Sequence, residues 1–372
     1  MKIIHILCGK ANPKTTMNGV NVVVDRYASV MYEKGYDVEV WGIANNPITN
    51  LPSPKYPIRF FQQYHSWPCK LDKQLIECLK KIDTAKTIVN FHGGFIKEFS
   101  RIAKHVKGLK YFVIPHGAYS DYCTQKNNKW KKTVYYHLVE KYYLNASQGV
   151  LVFSEEVGAL VRKYMVSEQY LISKEPDPAF NANCICNKKA NQQIIWGYCG
   201  RINNQLKAVD KFIKCFLVFS SQRKNENHIL SIIGDGPDLE DIRHKYIDEI
   251  SAGSIQIHGQ VMGQDKLEKY LEMDYFEHIS NTDCKPLACI DAIGLGIPVI
   301  ITPATGLVED VEKYNAGVIT GYAEEEIIQS LHEMLQKPRN EMVDGCLRMI
   351  KEKYNSELIF DKLVSLYERA LS

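Results

Sequence analysis

Residues 2–43, KIIHILCGKANPKTTMNGVNVVVDRYASVMYEKGYDVEVWGI, lay out a strand, a glycine-bearing loop, a helix and a second strand. KIIHILC is a short β-branched apolar run, and GKANPKTTMNG interrupts it with Gly, Pro and Asn. Val20, Val23, Val24, Tyr27, Ala28 and Met31 then recur at helical spacing until Lys34-Gly35 stops the helix. DVEVWGI reads as a second buried strand, which completes a βαβ unit. The alternation goes on through KTIVNFHGG (86–94), KYFVIPHG (110–117) and GVLVFS (149–154), each a buried strand running into a loop.

At 372 residues the chain is too long for one ordinary α/β core and suits two domains. The rhythm breaks in SKEPDPAFNANCICNKKANQQ (173–193), rich in Pro, Asn and Lys, and resumes with IIWGYCG, HILSIIG, SIQIHG, YFEHIS and PVIIT, each spaced from the next by a helical pattern. The expected organisation is a first domain over 1–172, a linker over 173–193, a second domain over 194–354, and a closing helix within 355–372 that packs back on the first domain. Two doubly wound domains present the carboxyl ends of their strands, where ligands bind, to a shared cleft.

Composition narrows the class further. Apolar residues at 45% and charged residues at 24% are globular usage. No run approaches the roughly 20 apolar residues that span a bilayer, and MKIIHILCGK turns polar too soon for a signal peptide, so a cytoplasmic protein is expected. Eleven cysteines are then free thiols, and with no CxxC pair and only Cys184 and Cys186 close together, no metal site is expected. Residues 1–175 carry 25 Lys and Arg against 14 Asp and Glu, while 176–372 carry 21 against 29. Such asymmetry is either ordinary surface variation or the mark of an anionic partner of the first half. KNNKWKKTVYYHLVEKYY (126–143), which mixes lysines with Trp130 and tyrosines, reads likewise as a partly buried basic helix or as a segment resting on an anionic membrane. A nucleic-acid role is not expected, because no binding module is present and the second half is acidic.

The segment with most chemistry is 280–298, SNTDCKPLACIDAIGLGIP. Asp283 precedes a helix with Pro286 in its first turn, and Asp291 lies inside it, eight residues on. The backbone from Cys284 through Lys285, Pro286 and Leu287 to Ala288 would offer unpaired N–H groups to a phosphate or sugar oxygen. Two aspartates alone read as a helix cap and a solvated helix residue.

The segment resembles the signature of glycosyltransferase family 4, retaining enzymes of the GT-B fold: Ser-x-x-Glu-Gly-Phe, then Glu-Ala, then Gly-x-Pro-Val. Ser280, Pro286, Leu287, Ala292, Gly296, Pro298 and Val299 fit it; both glutamates are aspartates here, and Cys284-Lys285 replaces Gly-Phe. GYCGRINNQLKAVDKFI is similar to the family's Gly-Arg-loop-Lys-Gly segment, with Ala208 in place of the glycine, which implies that Arg201 and Lys207 bind the donor diphosphate. HILSIIGDGPDLEDI is similar to the Gly-Asp-Gly-Pro turn, which places Gly234 near the nucleotide; the third glycine of a dinucleotide fingerprint is absent. IPHGAYSDY resembles the His-Gly loop and implies that His116 lies beside the transferred sugar; NFHGG offers His92 as a second, less specific candidate. Gly19 stands at the family's glycine-rich helix start, and GLVEDV resembles its Gly-x-x-Glu turn, which implies that Glu309 contacts ribose or base.

What the resemblance implies is an α/β chain of GT-B type, two Rossmann-like domains facing a central cleft. The implied activity is retaining transfer of a sugar from a nucleoside diphosphate, UDP favoured, to a hydroxyl of a glycan or lipid-linked glycan in surface polysaccharide synthesis. Neither cofactor nor metal is implied, since Arg201, Lys207 and a helix dipole supply the positive charge. Asp283 is implied to address sugar hydroxyls and Asp291 the ribose. Two other readings stand beside this one: a catalytically silent nucleotide-sugar-binding subunit, which the altered acidic pair favours, and a GT-B nucleotide-sugar epimerase.

Overall fold

Strands that are apolar on both faces can only be buried between two layers of helix, and that is how both halves of the chain are built. The computed structural model describes residues 1–9, 19–46, 55–66, 68–119, 129–164, 169–172, 174, 180, 193–283 and 285–372. Cys284, the loop 10–18, residues 126–128 of the basic segment, and the expected linker other than Lys174, Phe180 and Gln193 lie outside the described residues.

One compact unit comprises Met1–Lys174 together with Ser356–Ser372. Its sheet contains β1 (Lys2–Cys8), β2 (Asp37–Ala44), β3 (Ile58–Gln62), β4 (Thr87–His92), β5 (Lys110–Ile114), β6 (Gly149–Val152) and β7 (Gln169–Leu171), in the order β3-β2-β1-β4-β5-β6-β7. All pairs are parallel; on either side of β1, His5 lies opposite Val40 and Asn90. The helix Gly19–Glu33 buries the six apolar residues whose spacing marks it in the sequence, and Arg26 besides. The helix Ser356–Leu371 lies on that helix and on β4, burying Ile359, Phe360, Leu363, Val364, Leu366 and Tyr367 at helical spacing. Its Tyr367 ring meets Phe112 at 5.4 Å, and Phe360 meets Tyr36 at 5.4 Å.

The other unit is Glu175–Asn355. Its six parallel strands are β8 (Gln193–Cys199), β9 (Asn227–Ile233), β10 (Ile255–Gly259), β11 (Tyr275–His278), β12 (Val299–Ile301) and β13 (Gly317–Ile319), in the order β10-β9-β8-β11-β12-β13. Strand alternation divides its core in two. Trp196, Tyr198 and Tyr275 pack with Phe212, Phe216 and Phe219 of the helix Val209–Gln222. Cys199 and Phe276 face the other way, onto Cys289, Ile290 and Ile293 of the helix Leu287–Gly294.

Three local expectations are revised. The helical pattern that follows HILSIIG, DLEDIRHKYIDEI (238–250), is two helices, Leu239–Lys245 and Ile247–Ser251, parted at Tyr246, whose hydroxyl donates to Asp210 at 2.9 Å. Pro286 stands at the N-cap of its helix, with φ −68° and ψ 119°, one place before the first turn. The basic helix is a composite, α-helical over Lys129–Tyr135, π-helical over Tyr136–Glu140 and α-helical over Lys141–Asn145.

Candidate active site

In the second unit the chain leaves β8 in one direction and returns beyond it at β11, so the strand order reverses between these two; crevices at such points are where α/β sheets bind ligands. The loops that meet there are Gly200–Lys207, after β8, and Ile279–Asp283, after β11. Lys207 ends the short helix Asn204–Lys207, capped by the Asn203 side chain on Leu206 N–H. Its ammonium donates to Asp283 Oδ2 and, at 3.3 Å, to Ser280 Oγ, and it lies 3.3 Å from His278 Nε2. His278 Nε2 is also 3.2 Å from Asp283 Oδ2. Burial, and after it the Lys207 charge, hold the His278 imidazole below its ordinary value against the pull of Asp283, so the ring is neutral.

The two loops are stitched by backbone and by small polar groups. Ser280 Oγ donates to Leu206 C=O at 3.2 Å, Asn281 N–H donates to the same carbonyl at 2.9 Å, and the Asn281 amide donates to Gln205 C=O at 2.9 Å. Thr302, directly after β12, donates to Ser280 C=O at 2.6 Å, and Asp283 lies in a single parallel bridge with Thr305. Ala208, directly after Lys207, takes a left-handed conformation with φ 44°, the geometry for which glycine is the unstrained choice.

The Gly-Asp-Gly-Pro turn supports this site from below. A Cβ on Gly234 would lie 1.9 Å from Gly200 O, and one on Gly236 2.0 Å from Ile202 O, so these glycines permit close backbone approach. Ile202 N–H donates to Asp235 C=O at 3.0 Å, and Asn204 N–H to Asp238 Oδ2 at 2.6 Å. Gly234 is thereby a packing residue under the Arg201 loop. Arg201 itself is exposed, its carbonyl holding the Tyr198 hydroxyl at 2.9 Å.

Other expected donor-binding residues do not join the cluster. Asp291 is fully enclosed, its Oδ2 held by Lys266 Nζ at 2.8 Å, so the reading that it presents a carboxylate to ribose is not supported. Lys285 is buried with its ammonium over the Tyr354 ring at 5.0 Å and 4.0 Å from Asp310, turned into the core. Pro286 is buried and Leu287 half-buried at the helix start. Glu309 is exposed on the first turn of Val308–Tyr314, whereas its neighbour Asp310 is buried against Lys353 and the Tyr354 hydroxyl.

In the first unit the order reverses between β1 and β4. His92, the last residue of β4, joins two other histidines: its Nε2 is 2.9 Å from His5 Nδ1 on β1, and its Nδ1 is 2.9 Å from His116 Nε2 in the loop after β5. His92 and His116 are therefore linked members of one chain and not alternatives. His116 has φ 49°, a strained value for a non-glycine residue and one that collects at functional sites. The loops on both sides are clamped by Glu140, whose Oε1 accepts from Phe95 N–H at 2.6 Å and the Tyr119 hydroxyl at 2.5 Å. Gly19 opens the helix Gly19–Glu33 beside the same edge of the sheet, at an exposed position.

Sequence reasoning passed over His278, Glu277, His5 and Glu140. Three lie on strands where a polar residue is masked by its apolar neighbours; Glu140 lies in a helix full of charge.

The two Rossmann-like parallel-sheet units have the fold of GT-B glycosyltransferases, as their solved counterparts show. The chain superposes on WaaG, described as a glycosyltransferase of lipopolysaccharide biosynthesis, with TM-score 0.70 and 13% identity over 98% of this chain and 99% of that one. It superposes on Anabaena Alr3699/HepE in complex with UDP, with TM-score 0.76 and 12% identity over 99% and 100%, and on the pneumococcal O-GlcNAc transferase GtfA in complex with UDP and GlcNAc, with TM-score 0.73 and 11% identity over 100% and 99%. No curated protein matches the sequence. Residues 193–337 match the family described as Glycosyl transferases group 1.

Proposed function

We propose that the chain is a retaining glycosyltransferase that moves a sugar from a nucleoside diphosphate, UDP favoured, to a hydroxyl of a glycan or lipid-linked glycan in surface polysaccharide synthesis. The observation that carries this reading is the Lys207–Asp283–His278–Ser280 cluster at the switch point of the group 1 domain. In transfer, the bond between the anomeric carbon and the β-phosphate oxygen breaks, and charge grows on the departing diphosphate. Lys207 and Arg201 would hold that charge, and cations already fixed in place lower the barrier because they need not reorganise. Asp283 would accept hydrogen bonds from sugar hydroxyls, and His116 would contribute one in the first unit. The acceptor hydroxyl forms the new bond on the face the diphosphate leaves and passes its proton to the departing β-phosphate oxygen as it does so. UDP is favoured because HepE and GtfA were solved with it. With two cations assigned to the diphosphate, the reaction is expected to need neither metal nor cofactor.

The test is to incubate the protein with UDP- and GDP-sugars and a lipid-linked glycan acceptor, with and without EDTA, and to read the anomeric configuration of the product by NMR. Inversion, or activity abolished by EDTA, would contradict the mechanism. Donor binding without turnover on any acceptor would point to the silent subunit, and an isomeric nucleotide sugar formed without acceptor would point to the epimerase.

A second reading concerns location and rests on the composite helix 129–145. Trp130, Val134, Leu138 and Tyr142 recur every four residues and are 68%, 48%, 69% and 65% exposed, with Lys129, Lys131 and Lys141 exposed beside them. Apolar side chains flanked by lysines suit the boundary between headgroups and acyl chains of an anionic leaflet. No helix among the described residues is long and apolar enough to cross a membrane. Co-sedimentation with anionic vesicles that is lost in Trp130→Ser/Leu138→Ser is the expected result; equal binding to neutral vesicles would defeat the electrostatic part.

A further inference from the structure

The chain of three histidines in the first unit specifies more than a hydrogen bond. His5 and His92 are both shut away from solvent, and burial lowers His5 to about 3 and His92 well below its ordinary value, so both rings are neutral. A neutral imidazole carries one N–H and one lone pair. Each of the two 2.9 Å contacts needs one hydrogen, so His92 must donate from one nitrogen and accept at the other. Only two arrangements satisfy this. In one, His116 Nε2–H donates to His92, His92 donates to His5, and His5 is left with an N–H on Nε2. In the other, His5 Nδ1–H donates to His92 Nε2, His92 Nδ1–H donates to His116 Nε2, and His5 Nε2 keeps a lone pair.

His5 Nε2 is buried and has no hydrogen-bond partner among the described residues. A buried N–H left without an acceptor is the rarer defect in folded proteins, and an under-satisfied acceptor is the commoner one. The second arrangement is therefore the stable one, and its direction runs outward, from the core of the sheet to the loop after β5. We propose that His5 and His92 are positioning residues that fix the tautomer of His116, so that its Nε2 accepts from His92 and its Nδ1 carries the proton. His116 is then held, at its strained φ of 49°, by a bond that leaves its Nε2 committed and its proton on Nδ1. In neither His5 nor His92 does the ring touch a reacting group; they act through His116. The consequence for sugar transfer rests on the glycosyltransferase reading above, whereas the tautomer does not.

The experiment has two arms. In protein labelled with nitrogen-15 in histidine, at about pH 7.5 and assigned through His116→Gln and His92→Asn, His116 Nδ1 and His92 Nδ1 should resonate as protonated nitrogens and their Nε2 atoms as bare ones. The opposite pattern, or a cationic His92, overturns the proposal, and this arm stands even if no donor is ever found. In the second arm His92→Asn, which keeps a donor where Nδ1 was, should retain transfer within about threefold of the parent, whereas His92→Leu should lose at least about tenfold in kcat with donor KM little changed. Equal activity of the Asn and Leu variants would overturn the positioning role. Should His92→Leu fail to fold, the resonances of the parent still decide.

Discussion

Lys207 is the residue on which the donor chemistry turns. Lys207→Ala should lower kcat by about 10²–10³, the usual cost of one contact to developing charge, while exposed Arg201→Ala leaves the melting temperature unchanged and lowers turnover too. Parent-like kinetics in both variants would remove them from the site. Asp291→Ala should act on stability instead, since it takes the carboxylate away from the Lys266 ammonium; because Lys266 keeps some solvent contact and lies over the Phe180 and Tyr270 rings, the cost is expected at about 3 kcal/mol or below. A fall in UDP affinity with no loss of stability would restore its ribose role. Glu277 makes a third prediction. Burial raises its carboxyl to about 8 against a partly compensating N–H from Ile279. Between the ordinary 4.5 and about 8 the unfolded chain releases this proton and the folded chain keeps it, so stability falls as pH rises through that window. Glu277→Gln cannot ionise, and its melting temperature should gain on the parent's from about pH 5 to about pH 8.5; parallel curves would show the carboxyl to be charged in the fold. The motif residues Lys207, Ser280, Asp283 and His116 were legible because a run of neighbours marks each. The inward turn of Lys285 and Asp291 was not, because it depends on Asp310 and Lys266, which nothing in the motif indicates.

At the level of elements, alternation and length decided what was readable. β1, β4, β8 and β9 are six or seven residues long with several apolar β-formers each, long enough to announce themselves. β7 and β13 have three residues each, too few to show any period, and β3, IRFFQ, is only partly buried. The turn at Gly234–Pro237 was legible as a turn, but its partner was not, since contact with Gly200 and Ile202 follows from strand pairing. That contact is testable. Gly236 is absent from the positive-φ glycines, so Gly236→Ala perturbs through space alone, with its new carbon 2.0 Å from Ile202 O. It should cost about 1–3 kcal/mol in thermal stability and weaken UDP binding as the Arg201 loop shifts. Binding unchanged in a destabilised variant would show that the turn supports the fold but not the site.

The whole molecule consists of two units, each with its own sheet and buried core. Ligands stabilise what they bind, so UDP at about 100 times its Kd should raise the stability of the second unit by about 2.7 kcal/mol and leave the first where it was. Scanning calorimetry should resolve a UDP-sensitive and a UDP-insensitive transition, with the shift lost in Lys207→Ala; a single transition moving as one would mean that the units unfold together.

The helix Ser356–Leu371 is completed by the ribosome only after the entire second unit, yet it belongs to the first. Residues 1–174 thus emerge early and wait, with the side of the sheet that Tyr367 will cover still open. The second unit has all its strands in hand before that cover arrives. Synthesis and folding therefore run in opposite orders here: the half made first is the half finished last, and during that interval its bare apolar face is what a chaperone would have to shield.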